Sequence, residues 1–234
     1  MNEYLFNPPA VQSLAVRGES QRFPINRLFF VGRNYQAHAK EMGSGTIDKT
    51  KARPFYFTKA PQTLTPSGAT VAYPPGTANF HYEMELVVAI GQAGFRIAAA
   101  DAHAYIYGYA AGLDMTRRDL QFVAREQGRP WDLGKDVEQS AVCTDIVPMP
   151  GRVLDAGAIH LAVNGEVKQR ADLSDLIWDI REIIEDLSQF YHLQAGDLIY
   201  TGTPEGVGPV LPGDIITGAV EGVAELSLTI GPAE

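Results

Sequence analysis

Short runs of β-branched and aromatic residues recur along the chain, bounded by glycine, proline or polar turn residues, and this pattern is typical of β-strands. Six runs predict strands: RLFFVG (27–32), PFYFTK (54–59), ELVVAIG (85–91), HLAVNGEV (160–167), DLIYTG (197–202) and AELSLTI (224–230). Within the fourth run, the dipeptide Asn164-Gly165 predicts a tight hairpin turn.

Apolar residues at helical spacing predict three helices. The strongest pattern begins at Leu173 and keeps the three-and-four spacing of an amphipathic helix for about five turns, with Asp172 or Ser174 as its cap. A second helix is predicted to begin at Thr116, where Thr116 and Asp119 form a capping-box pattern. A third covers 34–42 (NYQAHAKEM). Because strands and helices do not alternate regularly, the pattern predicts a β-dominated α+β fold rather than a parallel α/β sheet.

Composition agrees with a single globular domain over residues 1–234. The chain has 28 acidic and 19 basic residues, a net charge of −9, which argues against nucleic acid or an anionic membrane as a partner. The N-terminal MNEYLFNPP lacks the build of a signal peptide, and no apolar run approaches the ~20 residues of a membrane helix, so we expect a cytoplasmic protein. The single cysteine, Cys143, is expected to be buried and inert.

Three carboxylates are candidates for a metal site. Glu83 and Glu85 stand two apart at the start of an apolar strand, so their side chains point to one face, and Asp114 ends the run YIYGYAAGLD. A solvent-facing strand edge is the alternative explanation for the glutamate pair, and a supporting role at a helix N-terminus is the alternative for the aspartate. Without cysteine or paired histidine nearby, the three carboxylates suit Mg²⁺ or Mn²⁺ and not zinc.

Other residues extend the candidate chemistry. His38 and Glu41, three apart on the predicted helix, would share a face, so that the carboxylate could orient an imidazole base; exposed helix decoration is the simpler alternative. Lys135, in GRPWDLGKD, is a loop ammonium that either meets an anionic ligand or is solvated. The segment YTGTPEGVGPVLPGD combines glycines whose backbone can approach a ligand with the hydroxyls of Thr201 and Thr203, although rigid hairpin turns explain it as well.

Six motifs taken in order resemble the fumarylacetoacetate hydrolase family. They are GRNYQAHAKEMG, FTKAPQTL, FHYEMELVVAIG, GYAAGLDMTRRDLQ, GRPWDLGKD and TGTPEGVGPVLPGD. The resemblance runs over 27–230, with 1–26 as a lead-in segment, and it implies a fumarylacetoacetase-type mixed β-roll with a few helices around a divalent cation. Within the family, the short chain and its N-terminal segment are similar to bacterial fumarylpyruvate hydrolases and related acylpyruvases.

The resemblance also implies a role for each motif residue. The cation would be bound by Glu83, Glu85 and Asp114. His38 would be the base and Glu41 its orienting partner on a mobile lid. The substrate or oxyanion contacts would be Gln121, Lys135 and Thr203, with Arg33 as the candidate for a remote carboxylate. Longer fumarylacetoacetases carry a fourth carboxylate ligand seven residues before the histidine, where this chain has Val31.

The activity implied is metal-dependent hydrolysis of the carbon–carbon bond of a 3-acylpyruvate, with fumarylpyruvate giving fumarate and pyruvate in the degradation of aromatic compounds. Oxaloacetate decarboxylation, or isomerisation of an unsaturated 2-oxo-dicarboxylate, is an alternative on the same metal site, and a non-catalytic ligand-binding domain is an alternative of another class. The partners expected are a small 2-oxo acid and a second copy of the chain in a homodimer.

Overall fold

The computed structural model describes residues 4–234. Its four α-helices are α1 (Gln36–Glu41), α2 (Arg118–Glu126), α3 (Asp132–Lys135) and α4 (Ile180–Leu187), and short 3₁₀ helices occupy Pro61–Thr63, Ala99–Tyr105 and Leu173–Asp175. The strands are β1 (Ser13–Ala15), β2 (Arg22–Pro24), β3 (Arg27–Val31), β4 (Tyr56–Lys59), β5 (Leu64–Pro66), β6 (Thr70–Tyr73), β7 (Phe80–Tyr82), β8 (Met84–Ile90), β9 (Ile106–Asp114), β10 (Thr116–Arg117), β11 (Ala141–Cys143), β12 (Val147–Pro148), β13 (Ala158–Val163), β14 (Glu166–Asp172), β15 (Asp197–Tyr200), β16 (Gly208–Val210), β17 (Ile215–Val220) and β18 (Ala224–Ala233). All six predicted strands are confirmed.

Two mixed sheets form the body of the fold. The larger sheet has the order β4-β3-β15-β8-β9-β11-β5, with β12 paired to β9, and the smaller has the order β14-β13-β17-β18-β6. Parallel pairs such as β3 with β15 occur beside antiparallel pairs such as β8 with β9. A separate three-stranded sheet, β10-β7-β16, lies beside them. Strands dominate and helices fill the connections, which confirms the predicted α+β class.

Strand β8 is buried on both faces because each face of the larger sheet is covered. Leu86 and Val88 belong to the main core between the two sheets, whereas Val87 and Ala89 belong to a second, smaller core. The β1–β2 hairpin covers that smaller core with Leu14 and Phe23, among others. Cover on both faces is the reason why this strand is a continuous apolar run without alternation.

The hairpin prediction at Asn164-Gly165 is confirmed. The two residues connect β13 to β14 with φ values of 51° and 82°, the left-handed backbone that a two-residue hairpin requires. The prediction for Cys143 is also confirmed: its thiol is fully buried, and burial raises its pKa to about 12. None of the helices in the described part of the chain is both long and apolar enough to cross a membrane.

The prediction of one continuous five-turn helix from Leu173 is wrong. A 3₁₀ helix capped by Asp172 ends at Asp175, and α4 begins separately after Asp179, whose side chain accepts a hydrogen bond from Glu182 N–H. Between them the chain is extended because the buried Asn34 binds its backbone: Asn34 O accepts from Ile177 N–H and Asn34 Oδ1 from Trp178 N–H, both at 2.8 Å. These long-range bonds replace the helical ones.

The predicted helix start at Thr116 is two residues early. Thr116 lies in β10, opposite His81, and its hydroxyl donates to Asp114 O, so it caps nothing. Helix α2 begins at Arg118. The Asp119 carboxylate accepts from the Thr77 hydroxyl at 2.6 Å and therefore ties a neighbouring loop to the helix. The third prediction, a helix within 34–42, is confirmed as α1.

Candidate metal centre and active site

The three candidate carboxylates meet at one end of the β8–β9 pair. Asp114 N–H donates to Glu83 O at 2.9 Å, and two residues further along β8, Glu85 lies opposite Gly112. Because side chains alternate along strands, this register directs all three carboxylates to the same face of the sheet. One oxygen from each lies within 4.8 Å of the others, and the residues are only 4 %, 1 % and 1 % exposed. The solvent-facing alternative for the glutamate pair is therefore wrong.

One oxygen of each carboxylate is held by a donor or cation of the protein. Glu83 Oε1 accepts from the Arg118 guanidinium. Glu85 Oε2 accepts from Gly202 N–H at 2.7 Å. Asp114 Oδ1 lies 2.7 Å from Lys59 Nζ. Of the second oxygens, Glu83 Oε2 and Asp114 Oδ2 both contact the ammonium of Lys135, whereas Glu85 Oε1 has no described hydrogen-bond partner.

Lys135 is not a solvated loop lysine, because it ends the short helix α3 with a buried ammonium. Its Nζ donates to Glu83 Oε2 at 2.7 Å, to Asp114 Oδ2 at 2.5 Å and to the Thr116 hydroxyl at 2.8 Å. An ammonium has three N–H donors, and these three oxygens use all of them. Lys135 thus contacts two of the three carboxylates of the cluster.

The charges in this cluster are unevenly compensated. Burial raises the pKa of Glu83, but Lys135 and Arg118 outweigh it and hold that pKa well below the usual range. Burial, followed by the charges of Asp114 and Glu83, raises the pKa of Glu85 well above the usual range. Glu85 forms no ion pair within residues 4–234, and its carboxylate accepts one backbone hydrogen bond.

This donor set fits a hard divalent cation. Buried carboxylates are costly unless a cation compensates them, and Mg²⁺ and Mn²⁺ prefer carboxylate oxygens. The mutually close oxygens of Glu83, Glu85 and Asp114 provide such a set, and one oxygen of Glu85 carries no described hydrogen bond. The residues present therefore satisfy the chemical requirement that the sequence predicted.

His38 and Glu41 form a dyad beside the carboxylates. His38 Nδ1 lies 3.1 Å from Glu41 Oε2, and the imidazole is buried in the lining of a cavity that also includes Glu83 and Gln121. The second oxygen, Glu41 Oε1, accepts from Gly206 N–H at 3.0 Å. Burial raises the pKa of Glu41, yet the hydrogen bonds from His38 and Gly206 bring it below its ordinary value. The glycine-rich loop, residues 200–214 (YTGTPEGVGPVLPGD), therefore holds the carboxylate that contacts the His38 imidazole.

The other predicted site residues are only partly brought together. Gln121 and Arg33 line the same cavity as His38. Gln121 Oε1 accepts from Arg118, so its amide nitrogen is the group available to a ligand. Thr203 is buried, but it is not in the lining of this cavity, and its hydroxyl accepts from Gln169 Nε2 at 2.9 Å.

Two buried cations of the site escaped the sequence analysis. Lys59 was visible only as the end of a predicted strand, and Arg118 as one of two adjacent arginines after Asp114. A usable signal for Arg118 is its spacing, three residues before Gln121 on one helix face. His81 contacts Arg118: His81 Nδ1 accepts a hydrogen bond from Arg118 Nε at 3.4 Å. Burial, together with the charge of Arg118, lowers the pKa of His81 to about 4.

Comparisons with known proteins identify the family of this chain. The family model for the C-terminal domain of fumarylacetoacetate (FAA) hydrolase matches residues 27–231. The chain is 67 % identical to a fumarylpyruvate hydrolase of Ralstonia sp. over 188 residues, which cover 80 % of this chain and 98 % of that protein. It is 38 % identical to the mitochondrial oxaloacetate tautomerase of Mus musculus over 206 residues, 87 % of this chain and 91 % of that protein.

Among solved structures, the crystal structure of fumarylpyruvate hydrolase from Pseudomonas aeruginosa in complex with Mn²⁺ and pyruvate matches with a TM-score of 0.93. The two sequences are 46 % identical, and the match covers 99 % of this chain and 100 % of that one. The fold of this chain is therefore the mixed β-roll of those enzymes.

Proposed function

The chain belongs to the fumarylacetoacetate hydrolase family, and we propose that it hydrolyses the C3–C4 bond of a 3-acylpyruvate, with fumarylpyruvate as substrate and fumarate and pyruvate as products. The observation that carries the proposal is the cluster of three buried carboxylates together with the His38–Glu41 dyad, because Glu83 of the cluster and His38 of the dyad line one cavity. The 67 % identity to the Ralstonia fumarylpyruvate hydrolase supports fumaryl as the acyl group.

Glu83, Glu85 and Asp114 are proposed to hold Mg²⁺ or Mn²⁺. A divalent cation at this position supplies a Lewis acid and a template for the carboxylate and the adjacent keto oxygen of a 2-oxo acid. The complex of the Pseudomonas aeruginosa relative with Mn²⁺ and pyruvate supports both the metal and the type of ligand. Because this chain has Val31 where longer fumarylacetoacetases carry a fourth carboxylate ligand, it would supply three carboxylate ligands.

The dyad supplies the base. With Nδ1–H of His38 donated to Glu41, Nε2 carries the free lone pair and accepts a proton from water. The hydroxide adds to the C4 keto carbon, and the C3–C4 bond then breaks with its electron pair remaining on C3. C3 takes up a proton to become the methyl group of pyruvate, and the acyl carbon leaves as the carboxylate of fumarate.

The oxyanion formed at C4 needs hydrogen-bond donors. Gln121 offers the amide nitrogen that Arg118 leaves free. Lys135 is the second donor, and it must give up one of its three present acceptors to serve this role. Each such donor contributes about 3 kcal/mol in comparable sites. Thr203, next to Gln169, is proposed to contact substrate from the glycine-rich loop.

The test is direct. Purified protein with Mg²⁺ or Mn²⁺ should consume the enol absorbance of fumarylpyruvate and release fumarate and pyruvate in equal amounts. His38→Ala should lower kcat by about 10²–10⁴ while Mn²⁺ binding persists, because the imidazole is not a proposed ligand. Turnover by His38→Ala at the wild-type rate would show that another group is the base, and unchanged activity in chelator would overturn the metal assignment.

Oxaloacetate is a second candidate substrate, because the relatives that share 38 % identity with this chain include an oxaloacetate tautomerase. Tautomerisation or decarboxylation on the same carboxylate cluster needs no attacking water. We therefore expect those activities to survive His38→Ala better than acylpyruvate hydrolysis does. Assaying both substrates with both proteins separates the two functions, and turnover of neither would favour a non-catalytic binding domain.

We further propose that the protein is a homodimer that acts in the cytoplasm on a product of aromatic-ring degradation, with 27–230 as its metal-dependent core. The resemblance to the family supports the dimer, and the extent of the family match supports the core. Light scattering on the purified protein should give about twice the mass of 25.4 kDa. A mass equal to that of one chain would contradict the dimer and leave the hydrolase proposal standing.

A further inference from the structure

Two guanidinium groups line the candidate active-site cavity without any carboxylate partner. The cavity is bordered by Glu83 and Arg118 on the metal side and by Arg33 and Arg125 elsewhere on its wall. Arg118 is paired with Glu83, but neither Arg33 nor Arg125 forms an ion pair with any residue of the described chain. Cavities with unpaired cations are typical sites for an anionic group of a ligand.

Both guanidinium groups are fixed by the same short segment. Arg125 donates to Met42 O at 2.8 Å, and Arg33 donates to the Ser44 hydroxyl, so both lie against the chain that follows α1. Each also stacks against an aromatic ring, Arg33 on Phe55 and Arg125 on Phe122. These contacts hold the positions of the two groups, the half-buried Arg33 and the exposed Arg125, but no carboxylate of the described chain pairs with either of them.

One hydrogen-bond donor of Arg33 is still available to a ligand. Arg33 Nε is buried and has no hydrogen-bond partner, although a buried donor without an acceptor costs free energy. Arg33 and Arg125 line the same cavity, so their like charges repel each other, and burial followed by the charge of Arg125 lowers the pKa of Arg33. A ligand carboxylate between the two guanidinium groups would accept a hydrogen bond from Arg33 Nε and offset the repulsion between the two positive charges.

Helix α2 places Arg125 in the lining of the cavity that Glu83 and Arg118 also border. Arg118, Gln121 and Arg125 are spaced three and four residues apart, so they share one face of the helix. That face therefore presents a cation paired with a metal ligand at one end and an unpaired cation at the other. A ligand lying along it would meet charge at both of its ends.

We propose that Arg125, together with Arg33, binds the second carboxylate of the substrate and thereby makes the site selective for dicarboxylic acylpyruvates over monocarboxylic ones. The inference rests on the proposed function, because the 2-oxo acid end must occupy the carboxylate cluster for the far end to reach the arginines. Arg125 is the specificity-determining residue in this arrangement. Nothing in the hydrolytic steps themselves requires it.

The experiment compares two substrates that differ only at the acyl end. Fumarylpyruvate carries the distal carboxylate, and acetylpyruvate replaces the whole fumaryl group by acetyl. For Arg125→Gln, the ratio of kcat/KM for fumarylpyruvate to that for acetylpyruvate should fall about tenfold to a hundredfold, mainly through KM, because one charge-assisted contact is lost. Arg125→Lys keeps the charge without the two-pronged geometry and should recover part of the ratio.

Arg129→Gln is the matched control, since Arg129 is exposed, lies just beyond the same helix and does not line the cavity. It removes one positive charge and should keep the wild-type ratio. If Arg125→Gln lowers kcat/KM for both substrates equally, Arg125 acts as a structural anchor for Met42 and the proposal is overturned; a wild-type ratio overturns it as well. In both cases the hydrolase function stands. Hydrolysis of neither substrate by the wild type overturns the proposed function, and this inference with it.

Discussion

Lys59 Nζ lies 2.7 Å from Asp114 Oδ1, and neither side chain is more than 1 % exposed. The three N–H donors of Lys59 point to other oxygens, namely Met115 O at 2.9 Å, Ser140 O at 3.1 Å and Ser140 Oγ at 2.8 Å. The contact with Asp114 is therefore electrostatic. It compensates one oxygen of the carboxylate, and the other oxygen, Oδ2, contacts the Lys135 ammonium.

Replacing Lys59 by methionine should destabilise the protein strongly. The change leaves Asp114 Oδ1 buried without its cation, and breaking a buried ion pair in this way costs about 3–5 kcal/mol. Urea unfolding measures the loss, and saturating Mn²⁺ should recover part of it because a cation bound only by the folded state stabilises that state. Lys168→Met is the control, since Lys168 pairs with the exposed Glu166 at the surface. Equal stability of the two variants would contradict the assignment.

Lys135 and a bound divalent cation should compete for the same oxygens. Lys135→Met removes the ammonium from Glu83 Oε2 and Asp114 Oδ2, so the Kd for Mn²⁺ should fall by about tenfold or more while turnover is lost. Calorimetric titration with Mn²⁺ measures the binding separately from activity. Weaker Mn²⁺ binding by Lys135→Met would show that the ammonium supports the metal site and does not compete with the ion.

The Glu41 carboxylate should make stability depend on pH in a defined direction. Its pKa in the folded protein lies below the ordinary value of 4.5, so the unfolded chain binds more protons between the two values. The contribution is complete above the ordinary value and is lost as the pH falls through the folded one. Wild type should thus exceed Glu41→Gln in free energy of unfolding at neutral pH, by less than about 1 kcal/mol because the carboxylate is one-third exposed.

Urea unfolding of both proteins across the acid range measures this difference, which should shrink below the ordinary pKa of Glu41 and close as the pH falls through the lower pKa of the folded state. Glu166→Gln removes a carboxylate from an exposed surface pair and controls for the loss of one charge. A difference that persists unchanged into strong acid would show that the hydrogen bonds from His38 and Gly206 do not favour the charged form of Glu41.

Gly202 should tolerate no side chain. Its φ is 99°, a Cβ there would lie 2.7 Å from the Cβ of Asn34, and its N–H donates to Glu85 Oε2. Gly202→Ala should therefore lower the free energy of unfolding by about 2–4 kcal/mol and weaken Mn²⁺ binding. Gly213→Ala isolates the backbone cost, since Gly213 has a φ of 97° with open space around it. Equal losses in the two variants would rule out the close approach as the cause.

Short sequence patterns were sufficient to predict many of the strands, a turn and the main candidate ligands of this protein. The six strands, the Asn164-Gly165 turn and the spacing of Glu83 and Glu85 follow from patterns a few residues long, because strand period and turn conformation depend on neighbouring residues. The order of the motifs was sufficient to indicate the family, which the family match over 27–231 confirms. The roles of His38, Glu41 and the substrate contacts remain predictions that the proposed variants test.

Only the tertiary structure decided the rest. The helix predicted from Leu173 is interrupted because Asn34, far away in sequence, binds its backbone. The cations of Lys59 and Arg118 enter the carboxylate cluster because sheet register and helix packing place them there. The free energy of a buried charge depends on which opposite charges surround it, and those neighbours come from segments that are distant in sequence. The sequence alone could therefore indicate that these carboxylates need a cation, but not which lysines and arginines already share them.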